Sequence, residues 1–124
     1  FFRETDMAAM RGTVLTELAT AVAARHTGGA ITQLTEAADR YGADMARSRS
    51  LTLVMLAQNH ALRGDFDEAT RIGSEAVDLA RTVGSVRPKD RLAPLERLLR
   101  ERRGDADVRG LADRIARYRS DPLP

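Results

Sequence analysis

Two histidines and no cysteine bound the metal and thiol chemistry open to this chain of 124 residues. His26 falls in the run His26-Thr27-Gly28-Gly29 and His60 falls inside an apolar stretch. Neither belongs to an H-x-x-x-H or H-x-x-E pattern, which would set two ligands on one helix face. Thr27-Gly28-Gly29 could turn successive backbone N–H groups toward an anion, but paired glycines also close one helix before the next begins, and the second reading is preferred. Carboxylates occur together at Glu36 and Asp39 and again at Asp65, Asp67 and Glu68. Paired acids of this kind are what general acid–base work needs. The first pair has the spacing of a solvated helix face, however, and the second group stands where a helix dipole favours negative charge without any ligand. No G-x-S-x-G, P-loop or G-x-G-x-x-G follows a strand. No residue is therefore assigned a catalytic or metal-binding role, no cofactor is expected, and the chain reads as a binding protein rather than an enzyme.

The elements that would position any site are helices. The length suits one domain, residues 1–124, in which folding removes roughly two thirds of the extended chain's surface from water. No segment approaches the ~18 apolar residues of a membrane span. The opening FFRETDMAAM has neither the basic nor the apolar part of a leader. A soluble, cytoplasmic protein without membrane partners is the expectation, and the start at Phe1 suggests a piece of a longer polypeptide.

Apolar residues at Met7, Met10, Val14, Leu18, Ala21 and Val22 predict a helix from Glu4 to Arg25. Gly12 interrupts it, marking either a close approach or a break. Ile31, Leu34, Ala37, Ala38 and Tyr41 predict a second helix over Ala30–Tyr41, started after the glycine pair and stopped by Gly42. Asp44 and Ser48 are candidate N-caps for a third helix beginning as early as Met45. Its run Leu51-Thr52-Leu53-Val54-Met55-Leu56-Ala57 is apolar on more than one side, which predicts burial between neighbours. Arg63-Gly64-Asp65 is the turn into a fourth helix carrying Phe66, Ala69, Ile72, Ala76, Val77 and Ala80, with Gly73 letting another helix come close. Ser85 and Pro88 start a fifth helix bent or delayed by Pro94, and Arg103-Gly104-Asp105 repeats the turn before a sixth, marked by Val108, Leu111, Ala112, Ile115 and Tyr118. The fold class is all-α, about six helices in stacked antiparallel hairpins.

Charge is uneven. Residues 1–80 carry eight bases against eleven acids and residues 81–124 twelve against seven. A nucleic-acid surface over 81–124 is one reading, but interleaved acids and the lack of an aromatic platform favour a solvated face or an acidic partner.

The central hairpin, with Leu53, Leu56, Ala57 and His60 before the turn and Ala69 and Ala76 after it, resembles the tetratricopeptide repeat. Ala30 and Ala37 share the seven-residue spacing one hairpin earlier. The interval of 39 residues from Ala30 to Ala69 exceeds the family's usual ~34, and the excess is assigned to Gly42–Ser50. The resemblance implies a right-handed superhelix of hairpins whose concave face, lined by the first helix of each pair, takes a protein or peptide. Its groove positions fall on Leu15, Ala19, Val22, Val54, Gln58, Ala61 and Leu62. With Val54 and Gln58 where some members place the residues that clamp a C-terminal carboxylate, that specialisation is not implied. His60 replaces the family's tyrosine and reads as a packing residue. F-F-R-E-T-D-M-A-A, A-R-S-R-S-L, G-D-F-D-E-A and S-V-R-P-K-D-R-L-A-P-L-E-R-L-L further resemble the C-terminal part of actinobacterial helix-turn-helix regulators. That likeness implies a ligand-sensing or dimerising regulatory module, with DNA bound only through a missing N-terminal domain. Self-association of two copies is the alternative to a protein or peptide partner.

Overall fold

The computed structural model describes residues 4–21, 27–83, 87–102 and 104–120, and among these six α-helices and no strand occur. They are α1 (Glu4–Ala21), α2 (Thr27–Arg40), α3 (Ala46–Leu62), α4 (Phe66–Val83), α5 (Arg87–Arg100) and α6 (Ala106–Ser120). The all-α hairpin reading holds. The pairs α1/α2, α3/α4 and α5/α6 pack on themselves, and α3 also touches α1, α2 and α5. The nearly continuous apolar run of α3 has this cause: a helix with neighbours on several sides has little surface left for water.

Small residues set the closest approaches. α1 passes through Gly12 without a break, and the glycine serves a close approach: a Cβ there would come within 2.6 Å of Leu34 Cγ and Cδ2. Gly73 does the same for the third hairpin, where a Cβ would lie 2.7 Å from Leu111 Cδ2. Leu34, Leu92, Leu95, Leu99, Ile115, Val54, Val77 and Val108 fill the interior between these contacts.

The turns follow their sequence. Gly64 has φ +83°, the left-handed region that favours glycine, and Asp65 Oδ1 then accepts the Glu68 N–H at 3.3 Å. Asp105 repeats this, accepting the N–H groups of Asp107 at 3.0 Å and Val108 at 3.3 Å.

Three expectations need correction. Gly28 and Gly29 do not close the first helix; they lie in the first turn of α2, where Leu15 Cδ1 comes within 3.3 Å of the position a Gly29 Cβ would take. Neither Asp44 nor Ser48 caps α3: a 3-10 turn, Ala43–Met45, leads into it and joins Met45 N–H to Gly42 O at 2.9 Å. That turn occupies the connector to which the long interval was assigned. α6 continues through Ser120, two residues past Tyr118, where its expected stripe ends. Residues 22–26, Ser85 and 121–124 lie outside the described residues.

Candidate functional site

The predicted groove residues do not share one open surface. Val54, Gln58 and Ala61 are buried, whereas Leu15 and Leu62 are half-buried. Ala19 belongs to α1, but its side chain, like Val22, lies outside the described residues. The burial has a geometric reason. Leu34 and Gly73 are equivalent by the alanine interval, since 34 + 39 = 73. Gly12 sits under Leu34 and Ala57 is next to Gly73, its Cβ 3.7 Å from the position a glycine Cβ would take. Position n of α1 therefore corresponds to n + 45 of α3. Gln58 and Ala61 match Thr13 and Thr16, which are the α1 residues that bond α3: Thr13 Oγ1 donates to Met55 Sδ at 3.3 Å, and Asn59 Nδ2 donates to Thr16 Oγ1 at 2.7 Å. What faces the next hairpin in the first pair faces it again in the second, where α5 packs on α3.

A different surface is open. Met7, Met10 and Val14 are 41%, 55% and 56% exposed, the only large apolar side chains so exposed among the described residues. Spacings of three and four put them on one stripe of α1, opposite Ala8, Gly12 and Thr16, which are buried. α1 is thus apolar on two opposite sides and covered on one.

A second feature is a cleft of about 360 Å³ with α3 as its floor and α2 and α4 as its walls. Leu53, Leu56 and Ile72 lie buried beneath it and Ile31 is half-buried. Its charges pair with one another. Arg49 Nε donates to Ala38 O at 3.3 Å and its Nη2 lies 3.4 Å from Glu75. Arg71 grips Glu68 through two bonds of 3.0 and 2.8 Å, which hold the Glu68 carboxyl below its usual range. His60 stands at the end of this cleft with Nδ1 3.8 Å from Asp65 Oδ2. Burial pushes its imidazole below the ordinary value, and Asp65 and Glu68 oppose that shift.

The sign of the pH effect follows. A histidine whose pKa is lower folded than unfolded binds its proton more readily in the unfolded chain. Stability from His60 is complete above the unfolded value near 6.5 and is lost as pH falls through it toward the folded value. His60→Gln is expected to flatten the dependence of the urea midpoint on pH between about 7.5 and 5.5. An equal slope in both proteins would show that His60 does not contribute.

The basic third is partly neutralised within the fold. Arg100 pairs with Asp113 at 3.1 Å and Glu96 at 3.5 Å, Arg119 with Glu96 at 2.7 Å, and Arg114 with Asp78. Arg102 lies over the Phe66 ring, 4.8 Å from its centre. Among the described residues no three His, Asp or Glu side chains gather as a metal site, and no helix is long and apolar enough to cross a membrane.

Met7, Met10 and Val14 are not among the groove positions that the resemblance implies; they enter the sequence reading only as the stripe that marks the first helix. The signal was in the sequence: the apolar residues of α1 are not confined to one face, so one partner hairpin does not cover them all. No family model, no curated protein and no solved structure matches the chain.

Proposed function

We propose that this chain is a non-catalytic protein- or peptide-binding module, the regulatory part of a bacterial helix-turn-helix regulator. The observation that carries the binding role is the bare stripe Met7, Met10 and Val14. Clustered apolar side chains left in water mark an interaction surface. Methionine suits such a surface because its unbranched side chain adapts to a partner. The tetratricopeptide resemblance supports the same class of role, moved from the inner groove to the end of the row. The regulator assignment rests on the segment likeness alone, and a helix-turn-helix pattern upstream in the parent polypeptide is its expected mark.

Display of random peptides against the folded chain tests the binding role. Enriched peptides should bind with micromolar dissociation constants and lose at least about tenfold, some 1.4 kcal/mol, on Met10→Glu. Finding none, or only peptides indifferent to Met10 and Val14, removes the reading. The same stripe supports self-association as the second reading, in which mass by light scattering rises with concentration and Met10→Glu abolishes the rise.

A further inference from the structure

The correspondence between α1 and α3 says what shape covers the stripe. Adding 45 takes Met10 to Met55 and Val14 to Asn59. On α3 these two residues are where α1 packs, through Thr13 on Met55 and Thr16 on Asn59. The exposed side of α1 is therefore the same side by which α3 receives a helix. Charge says what kind of helix it is. α1 and α2 together carry five acids against two arginines, whereas α5 and α6 carry nine bases against four acids. A second copy presenting the same stripe would bring acidic hairpins together. Stacking the other end of a copy there fails for a different reason: the exposed positions of α6 are Ala106, Asp107, Arg109, Gly110, Asp113, Arg117, Arg119 and Ser120, which offer no apolar row. An anionic membrane surface would be repelled by the same acids.

Building on the binding role above, we propose that the stripe of α1 seats an amphipathic helix of a partner protein, with an apolar row flanked by lysine or arginine, lying on α1 as α1 lies on α3. Met7, Met10 and Val14 supply the apolar contact. The surplus of acids on α1 and α2 supplies the long-range attraction.

The test uses two designed 18-residue helical peptides with one shared leucine–alanine face, flanked by lysine in one and glutamate in the other. Fluorescence anisotropy against the whole chain should show the lysine peptide at least tenfold tighter. Its affinity should fall tenfold or more with Met10→Glu or Val14→Glu, even though both substitutions add negative charge. Raising the salt concentration should narrow the gap between the peptides. Circular dichroism of each variant checks that the fold is intact, and Met10→Ser repeats the apolar test without a charge. Equal binding of the two peptides, or tighter binding of the glutamate one, overturns the charge assignment but leaves a protein-binding stripe. Binding of the lysine peptide unchanged by Met10→Glu, Val14→Glu and Met10→Ser overturns the site itself. No binding of either peptide, concentration-dependent pairing of the chain, or preference for anionic vesicles each overturns the proposal in favour of another occupant, while the display experiment above decides independently whether any polypeptide is recognised.

Discussion

Leu34→Ala is expected to cost about 2–5 kcal/mol of folding stability, and to reverse the effect of a second substitution, Gly12→Ala. Leu34 is fully buried, with its branch point and a methyl group pressed onto the bare backbone of Gly12. In the natural chain a methyl group at Gly12 would force Leu34 aside, an overpacking that costs about 1–3 kcal/mol. The better helix propensity of alanine returns only about 1 kcal/mol of that. Once Leu34 is alanine, the added methyl enters vacated space and both terms favour it. Gly12→Ala should therefore destabilise the natural chain and stabilise the Leu34→Ala chain, read as urea midpoints followed by helical circular dichroism. The same penalty in both backgrounds would mean that the two residues do not touch, and the α1–α3 correspondence would fail with them.

Asn59→Asp should be at least as damaging, and its damage should depend on pH. Asn59 is fully buried, and its Nδ2 donates to Thr16 Oγ1 at 2.7 Å and Met55 O at 2.8 Å, while Oδ1 has no partner among the described residues. A carboxylate in that place sets an anionic oxygen against a carbonyl oxygen in an apolar seam, an uncompensated buried charge costing about 3–5 kcal/mol. Burial raises the folded pKa of the new acid above its unfolded value near 3.9. The unfolded chain then holds fewer protons across that interval, so stability is lost as pH rises through it and recovered as pH falls. Melting temperatures at about pH 7 and pH 4.5, each taken relative to the natural chain, should differ by more at the higher value. A deficit that ignores pH would place water at Asn59.

The helices were legible because their stripes are regular and their turns carry glycine and aspartate. Gly73 announced a close approach, and Leu111 makes it. The limits of the reading are equally local. Gly28-Gly29 looked like a stop because glycine is commonest there, but a helix's first turn tolerates glycine as well, and no pattern along the chain separates the two. The connector was found, but not the six further residues between Gly12 and Leu34 that make the first-helix interval 45 rather than 39, since Gly12 carries no apolar signature. Without that shift Val54, Gln58 and Ala61 align with Leu15, Ala19 and Val22, the set that the resemblance implied as a groove. With it they align with Ala9, Thr13 and Thr16, on the side where the next hairpin packs.

Tyr118 donates its hydroxyl to Ala80 O at 3.3 Å, and Arg114 reaches Asp78, so α6 is fastened to α4 while α5 leans on α3. The last hairpin straddles the middle one instead of resting on a single helix of it. Amide protons in α3 and α4 should therefore be the slowest to trade with deuterium, released only when the whole molecule opens. Those of α1, with one flank in water, should wash out first.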